Sequence, residues 1–403
     1  MSEGAPAAGG ASEALAAPRR RKVLLVAGEM SGDLHAARLL RDMGAARQQV
    51  DFFGIGGEAL AKEGMRILVD AREMAVVGFW EVIKRLPFLL GVWRRIRRAL
   101  VEERPDAVLL VDYPGFNLKV AAYAKALGIP VLYYVSPQVW AWNRRRIPRM
   151  AKIIDRLMVI FPFEVDVFKG TGLDTVFVGH PLVPGIRATL ARPCGPVAWP
   201  DAAAPEDRVA LLPGSRRMEV ERILPALLDA AEELHRRRPG VRFAIAAAGE
   251  EQRRMIEAQL ARRPEELRRL MAVEVGNMRD IVRSARAAMV CSGTATVETG
   301  LLGCPLIVVY RAAPITFWVG RRVVKVKWLG MVNLVADRTL CPEYLQQDST
   351  PDAMASMMER LLDDTPERRD QLDGLAAVAR ALAGDSTTSS AGRTTARFLG
   401  LAD

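Results

Sequence analysis

Short apolar runs alternate with amphipathic stretches along most of the chain. Runs such as "KVLLVAG" (22–28), "AVLLVD" (107–112) and "VLYYVS" (131–136) are continuously hydrophobic, and turn residues such as Gly, Ser or Pro follow them. Continuous Val/Leu/Ile strands separated by helices are typical of a parallel sheet covered on both faces. The pattern therefore predicts an α/β fold built from doubly wound, Rossmann-like sheets.

The strand–helix rhythm pauses once and then restarts, which predicts two domains. The proline-rich segment "RPCGPVAWPDAAAPED" (192–207) lies between the two series. We predict a disordered tail over 1–21, a first domain over 22–183, a second over 184–370 and C-terminal helices over 371–403. Because ligands bind at the carboxyl ends of parallel strands, the loops there are expected to face a cleft between the domains.

Composition and charge narrow the class of protein without choosing a function. The 403 residues are 50% hydrophobic and 26% charged, which is the balance of a folded protein. A net charge of +10 favours nucleic acid, an anionic membrane or phosphorylated substrates as partners. No apolar run approaches the ~18 residues of a transmembrane helix. The four scattered cysteines give no zinc or disulfide pattern, so we expect a reducing cytoplasm and no metal.

A glycine-rich loop follows the second predicted strand. Its sequence "GIGGEA" (54–59) fits the G-x-G-x-x-A fingerprint of dinucleotide sites. That fingerprint belongs in the first strand–helix unit with a helix directly after it, and the pattern predicts neither condition here. We interpret the loop as a tight turn at the rim of the cleft and expect no cofactor.

One turn of the second domain has the composition of a phosphate site. In "LLPGSRRMEVER" (211–222), Ser215 and Arg216 directly follow a predicted strand. A guanidinium at a strand end suits bidentate binding of phosphate. An ordinary surface arginine is the alternative.

A second turn of that domain opens a helix. In "CSGTATVETG" (291–300), the small residues Ser292, Gly293 and Thr294 precede the helical pattern. Free N–H groups and the helix dipole favour a diphosphate at such an N-terminus. Glu298 is expected in the first turn, where it either accepts hydrogen bonds from ribose hydroxyls or complements the dipole.

Carboxylates follow two strands of the first domain. Asp112 stands at the end of one strand, where a general base could reach a substrate hydroxyl. Glu29, Ser31 and Asp33 of "GEMSGD" (28–33) are candidates to bind polar substrate groups, and each is equally a plausible turn or cap residue. One domain thus has candidate residues to bind phosphate and ribose, and the other has carboxylates. This division suits group transfer from a nucleotide-linked donor.

Nine motifs stand in the order found in lipid-A-disaccharide synthases, and the chain resembles that family from about residue 22 to at least residue 362. The motifs are "VAGEMSGD", "MAVVGFWEVIKRLP", "VDYPGFN", "YVSPQVWAW", "FVGHPL", "LLPGSRRMEV", "SGTATVE", "VVYRAAPITFW" and "VNLVADR". The resemblance implies a GT-B glycosyltransferase that joins UDP-2,3-diacylglucosamine to 2,3-diacylglucosamine 1-phosphate. The products would be the β-1,6-linked lipid A disaccharide phosphate and UDP, formed with inversion and without a metal.

The resemblance also implies roles for particular residues. Asp112 would take the proton from the acceptor 6-hydroxyl, and Arg216 with the Ser292–Thr294 turn would stabilise the diphosphate leaving group. Glu298 would bind ribose. The remaining family positions are Asn333 and Gln346 on the donor side, and Glu29, Ser31 and Asp33 near the acceptor. Oligomerisation stays open.

Two other classes of protein remain as alternatives. One is another UDP-sugar enzyme of the GT-B fold, with a non-lipid acceptor or epimerase-like chemistry. The other is a basic nucleic-acid-binding protein, for which Trp140 and Trp142 beside "NRRR" (143–146) are the argument. We expect no specific nucleic-acid partner.

The stretch "KRLPFLLGVWRRIRRAL" (84–100) predicts an amphipathic helix with a basic face. Acylated substrates reside in an anionic membrane, so the helix is expected to dock peripherally on its cytoplasmic face. An ordinary helix with a solvated basic face is the alternative. A second basic-aromatic stretch, "FWVGRRVVKVKW" (317–328), is expected to add to the contact. The docking residues would be Phe88, Leu89, Leu90, Trp93, Arg94 and Arg97.

Overall fold

Two parallel sheets organise the chain. The structure is a computed structural model, which describes residues 19–74, 86–200, 204–312, 326–384 and 390–401. The strand order is β3-β2-β1-β4-β5-β6-β7 in one sheet and β10-β9-β8-β11-β12-β13 in the other. By packing, the chain divides into one compact unit of residues up to 131 together with those from 395 on, and a second unit of residues 132–394. The sequence prediction of an α/β fold with doubly wound sheets is confirmed.

The first unit contains four strands and five helices within the described residues. Its strands pair in parallel. The elements are β1 (Arg21–Ala27), α1 (Met30–Asp42), β2 (Val50–Gly56), α2 (Glu58–Lys62), β3 (Arg66–Asp70), α3 (Ala71–Met74), α4 (Leu86–Glu103), β4 (Ala107–Val111) and α5 (Pro114–Ala126). The expectation that no helix directly follows "GIGGEA" was wrong, because α2 begins inside that motif.

Within the described residues, the second unit contains eight strands and nearly all of β5, whose first residue belongs to the first unit, and these strands also pair in parallel. Its strands are β5 (Val131–Tyr134), β6 (Arg156–Val159), β7 (Asp174–Phe177), β8 (Arg208–Leu212), β9 (Arg242–Ala247), β10 (Met271–Val275), β11 (Ala287–Cys291), β12 (Leu306–Tyr310) and β13 (Glu343–Leu345). The seven-stranded sheet ends at Phe177 and the six-stranded sheet begins at Arg208, so each predicted domain contains one sheet.

Helices alternate with these strands. They are α6 (Val139–Trp142), α7 (Ile147–Ile153), α8 (Glu164–Phe168), α9 (Leu182–Ala191), α10 (Arg217–Arg237), α11 (Glu250–Leu260), α12 (Glu265–Arg269), α13 (Met278–Ser284), α14 (Thr294–Leu301), α15 (Met331–Ala336), α16 (Pro351–Leu362), α17 (Pro366–Ala383) and α18 (Ala391–Phe398). Residues from 395 on, which include the end of α18, belong to the first unit.

The six-stranded sheet is buried on both faces, which explains its continuous hydrophobicity. Along β8, Val209 and Leu211 pack on one face against α10, and Ala210 and Leu212 pack on the other. Successive strand residues point to opposite faces, so a strand covered on both sides needs an apolar residue at every position. In the described part of the chain, no helix is both long and apolar enough to span a bilayer.

Each sheet has one point at which the strand order reverses direction. In the seven-stranded sheet β1 lies between β2 and β4, and in the six-stranded sheet β8 lies between β9 and β11. Helices leave such neighbouring strands toward opposite faces, and the loops at the carboxyl ends open a crevice where ligands bind. The crevices therefore lie after β1 and β4 in one sheet and after β8 and β11 in the other.

Candidate active site

The loops after β1 and β4 bring two predicted carboxylates to the crevice of the first unit. The register pairs Ala27, the last residue of β1, with Val111, the last residue of β4. Glu29 follows two residues after Ala27, and Asp112 comes directly after Val111. The two side chains that the sequence places at strand ends are thus neighbours in this structure.

The backbone at Asp112 is in an unusual conformation. Asp112 and Tyr113 both have φ = 48°, in the left-handed region that non-glycine residues seldom adopt. The buried side chain of Asn117 holds this turn, because its Nδ2 donates to the carbonyl oxygens of Asp112 at 2.7 Å and Val111 at 3.1 Å. Strained conformations of this kind cluster at active sites and cost of order 1–3 kcal/mol each.

The environment of Asp112 makes it more basic than an ordinary aspartate. Burial, reinforced by the negative charge of Glu29, raises the pKa of Asp112 to about 6. Two carboxylates near each other resist simultaneous ionisation, and low solvation adds to the effect. A carboxylate with a pKa near the working pH is suited to accept a proton from a substrate hydroxyl.

Asp33 has a structural contact that its sequence motif does not reveal. Its buried carboxylate accepts hydrogen bonds from the backbone N–H groups of Gly57 at 2.6 Å, Ala59 at 3.0 Å and Leu60 at 3.2 Å. Asp33 therefore caps the N-terminus of α2, which is the cap alternative allowed by the sequence. Ser31 lies exposed in the first turn of α1.

Close approaches explain the glycines of "GIGGEA". A Cβ at Gly54, whose φ is +143°, would lie 2.1 Å from the carbonyl oxygen of Leu25 in the neighbouring strand. A Cβ at Gly57 would lie 2.7 Å from Oδ2 of Asp33. Sheet pairing and the α2 cap require these glycines, so they give no support to a dinucleotide site.

A cavity of about 350 Å³ lies at the crevice of the six-stranded sheet. The loops after β8 and β11 line it, and they contribute Ser215, Arg216 and Ser292 through Thr294 among other residues. Gly293 has φ = +147°, which lets the chain turn sharply into α14. The predicted diphosphate residues are thus brought together around one space.

Arg216 is the N-cap of α10 and lies at the mouth of this cavity. Its side chain is 84% exposed, and its Nη1 donates to Oε1 of Glu219 at 3.1 Å. The Glu219 carboxylate also accepts from the backbone N–H groups of Ser215 and Arg216 at 2.9 and 3.1 Å. Glu219 therefore orders the turn and holds Arg216 at the cavity, a role that the sequence prediction missed.

Glu298 lines the same cavity but lies in the second turn of α14, so the expectation of a first-turn position was wrong. Its Oε1 accepts from Nε of Arg279 at 2.7 Å. Nη1 of Arg279 also donates to the carbonyl oxygen of Gly185 and to Oγ1 of Thr189, both in α9. Arg279 was not predicted from sequence, since it lies nineteen residues before Glu298.

Asn333 is fully buried, and its amide is saturated within the protein. Its Oδ1 accepts from the N–H groups of Leu340 and Cys341, and its Nδ2 donates to the Cys341 carbonyl and to Oε1 of Glu343. No hydrogen-bonding position of this side chain is left for a ligand. The structure therefore places Asn333 in the framework behind the donor side rather than in direct contact.

Glu343 connects Asn333 to the predicted diphosphate turn. Its carboxylate accepts from the N–H groups of Leu329 and Gly330, each at 2.9 Å. The Leu329 carbonyl oxygen in turn accepts from Oγ of Ser292 at 3.0 Å. Asn333 thus acts on Ser292 through two intermediate residues.

Gln346 pairs with the backbone that follows β12. Its Oε1 accepts from the N–H of Ala312 at 2.7 Å, and its Nε2 donates to the carbonyl of the same residue at 3.1 Å. With φ = 52°, Gln346 is another non-glycine residue in the left-handed region. Its amide fixes the loop at the carboxyl end of β12.

A buried carboxylate that the sequence prediction missed lies in the second unit. Glu164 accepts from the indole Nε1 of Trp140 at 3.1 Å and from the N–H groups of Ile160 and Phe161. Burial raises its pKa to about 7, although these hydrogen bonds act in the opposite direction. Glu164 therefore secures the motif "YVSPQVWAW" to the loop after β6.

The predicted docking helix exists as α4. Val92 and Ile96 are buried, Leu90 and the arginines are exposed, and Phe88, Leu89 and Trp93 are half-buried. The Trp93 ring packs edge-on against Phe116 and Tyr123 of α5, and Arg97 lies 4.6 Å above the Tyr123 ring. Most of the second stretch, 317–328, lies outside the described residues.

Among described residues, no group of three or more His, Cys, Asp or Glu side chains could hold a metal ion.

Comparison with known families gives the context for these residues. A family model described as lipid-A-disaccharide synthetase matches residues 23–391. The chain belongs to the lipid-A-disaccharide synthetase family. The lipid-A-disaccharide synthase of Anaeromyxobacter dehalogenans (strain 2CP-C) is 40% identical over 366 residues, which cover 90% of this chain and 93% of the relative. That of Myxococcus xanthus (strain DK1622) is 39% identical and covers 88% and 91%.

Solved structures show the fold that this chain shares with other proteins. MurG of Acinetobacter baumannii superposes with a TM-score of 0.53 at 14% identity, covering 94% of this chain and 99% of that one. A UGT transferase from Siraitia grosvenorii in complex with UDP gives a TM-score of 0.59 at 11% identity, with 94% and 99% coverage. Together with the two parallel α/β sheets, these likenesses confirm the GT-B fold.

Proposed function

We propose that the chain joins UDP-2,3-diacylglucosamine to 2,3-diacylglucosamine 1-phosphate and releases the β-1,6-linked lipid A disaccharide phosphate and UDP. Family membership over residues 23–391 supports this reaction. The observation that carries the mechanism is the position of Asp112, which follows β4 at the crevice with a pKa of about 6 beside Glu29.

In the proposed reaction, Asp112 removes the proton from the acceptor 6-hydroxyl. The oxygen attacks the anomeric carbon of the donor sugar as the bond between that carbon and the diphosphate oxygen breaks. The electron pair of the broken bond leaves with UDP, and the configuration at the anomeric carbon inverts. Burial, with the negative charge of Glu29 as a smaller contribution, keeps the pKa of Asp112 high enough for proton transfer.

The second unit would hold the donor. Arg216 and the turn from Ser292 to Thr294 line one cavity, where they would stabilise the charge that develops on the diphosphate. Glu298 of the same cavity would accept hydrogen bonds from ribose hydroxyls. Asn333 and Gln346 would act as positioning residues, since their amides bind the protein's own backbone.

Helix α4 would dock the enzyme on the cytoplasmic face of an anionic membrane. Exposed Leu86 and Leu90 lie near the basic surface that Arg94 and Arg97 form. Basic amphipathic helices bind such interfaces through both apolar insertion and attraction to anionic headgroups. The acylated substrates would reach the enzyme from that surface.

Purified protein with both diacylated substrates tests the reaction, with products identified by mass spectrometry. We expect UDP and the disaccharide phosphate in equal amounts, and a UDP-sugar enzyme of another kind would release UDP without that disaccharide. Asp112→Asn is expected to bind UDP normally and to lose turnover by about 10²-fold or more. Near-normal turnover of the variant would remove Asp112 as the base.

A further inference from the structure

A second cavity lies in the first unit, outside the residues assigned to proton transfer. It has a volume of about 420 Å³ and is enclosed by α1, α2 and α3. We call it the α1–α2 cavity. Its size is within the usual range of small-ligand sites.

One face of α1 gives this cavity an apolar wall. Met30, Leu34 and Ala37 line it at successive turns, and Ala59 and Ala71 line it from the other side. Met30 is 69% exposed and Leu34 is 60% exposed, so two large apolar side chains stand open at the site. Small alanines opposite them leave the space empty.

Charged side chains surround the cavity, but they are matched in pairs. Asp33 is committed to the α2 cap. Three cationic and three anionic side chains line the cavity, so its lining has no net charge that would attract an anionic ligand, and its apolar wall suits an apolar ligand with a polar end. The pairs are Arg41 with Glu63 at 3.6 Å, Lys62 with Glu58 at 2.8 Å and Arg72 with Asp70 at 2.6 Å.

The α1–α2 cavity begins beside the proposed base. Met30 directly follows Glu29, whose charge acts on Asp112. Tyr113, the residue after Asp112, donates its hydroxyl hydrogen to the carbonyl oxygen of Met74 at 3.2 Å, at the end of α3. A molecule whose hydroxyl reaches Asp112 would therefore have its other substituents close to this cavity.

We propose that the α1–α2 cavity holds a fatty acyl chain of the acceptor. The proposal rests on the proposed function, because it requires an acceptor that is acylated. The wall from Met30 to Arg41 runs along α1 for about 16 Å, at ~1.5 Å per residue, which accommodates an extended chain. Each methylene buried there strengthens acceptor binding by up to about fourfold.

Filling the cavity tests this assignment. Ala59→Phe introduces a ring into the space, and Ala61→Phe introduces the same ring on the exposed side of α2, outside the lining. With the long-chain acceptor, Ala59→Phe is expected to raise KM about tenfold. With a short-chain diacyl acceptor, KM should stay within about twofold for both variants, and their melting temperatures should match. Equal effects on both acceptors, or equal effects of both variants, would overturn the proposal.

A binding measurement separates this inference from the reaction itself. An acceptor with a photoreactive group at the end of an acyl chain is bound to the intact protein, irradiated and digested. Labelled peptides from 30–41 or 57–72 would support binding of the acyl chain in the α1–α2 cavity. Labels confined to 86–103 would show that the acyl chain lies on α4 instead. If the acyl chain of the acceptor labels the cavity but the protein forms no disaccharide, the proposed function fails while the binding site stands.

Discussion

Arg279 and Glu298 form an ion pair of 2.7 Å, and Glu298 lines the cavity of the second unit. Arg279 also donates hydrogen bonds to α9, so it fixes the position of the Glu298 carboxylate relative to that helix. We expect Arg279→Met to raise the donor KM about tenfold with kcat nearly unchanged, because Glu298 loses its orientation rather than its charge. Steady-state kinetics with varied donor measure this.

A matched comparison identifies the ligand of Glu298. If Glu298 binds ribose, the wild type should prefer UDP to 2′-deoxy-UDP, and Arg279→Met should lose that preference. Arg253→Met is the control, since Arg253 forms an exposed pair with Glu257 on α11. Unchanged discrimination in Arg279→Met would contradict the positioning role.

The pH dependence of kcat/KM should show the ionisation of Asp112 and the influence of the neighbouring Glu29 charge on it. Asp112 acts as a base only when ionised, so activity should rise with pH and level off above its pKa of about 6. Removing the neighbouring negative charge favours the ionised form, so Glu29→Gln should move this rise to lower pH. Asp42→Asn, at the exposed end of α1, should leave the profile in place. A rise that moves upward in Glu29→Gln would contradict the assignment.

Replacement of Asp33 should affect stability before catalysis. Asp33→Ala leaves the N–H groups of Gly57 and Leu60 without their buried acceptor, which is expected to cost about 2–3 kcal/mol in the free energy of unfolding. Urea denaturation measures this, with Asp42→Ala as the exposed control. An unchanged unfolding free energy with a raised acceptor KM would instead make Asp33 a substrate ligand.

Glu164 should make stability depend on pH. Its pKa is raised to about 7 in the folded state, so between about pH 4.5 and 7 the folded protein binds more protons than the unfolded chain. Its favourable contribution is therefore complete below pH 4.5 and is lost as the pH rises through 7. The free energy of unfolding of Glu164→Gln, compared with that of the wild type, should therefore increase by up to about 3 kcal/mol between pH 5 and pH 8. A constant difference across that range would show that Glu164 does not titrate there.

Membrane docking should depend on the arginines of α4. Arg94→Glu with Arg97→Glu is expected to weaken binding to anionic vesicles about 30-fold or more, at ~1 kcal/mol for each basic residue near the surface. UDP binding should not change. The control is Arg253→Glu with Arg254→Glu on α11, and vesicle sedimentation measures all three proteins. Equal vesicle binding would favour the ordinary amphipathic helix.

The fold and the positions of the strand-end residues could be predicted because they depend on local pattern. Uninterrupted apolar runs identify buried parallel strands, and the residue after each run lies at the carboxyl edge of a sheet. Asp112 and Ser292 follow directly from that rule, Arg216 lies in the turn after β8, and the family resemblance implied their roles.

The partners of other residues could not be predicted because they depend on distant packing. Asp33 bonds a helix that begins 25 residues later, and Arg279 meets Glu298 only when α13 and α14 pack together. Asn333 has the sequence context of a ligand residue, but its burial depends on how the segment around Cys341 closes over it. The periodicity of apolar residues contains no information about such contacts between distant segments.

Asp33 has a consequence for how this enzyme could diversify. Its carboxylate belongs to α1, which begins next to Glu29, and it holds the start of α2, which forms the opposite wall of the α1–α2 cavity. A shift of either helix would alter the cavity and the surroundings of the base together. Under the proposed assignment of this cavity to an acyl chain, new lipid preferences are expected to arise through changes in side-chain volume at positions such as Leu34 and Ala59, with the two helices left in place.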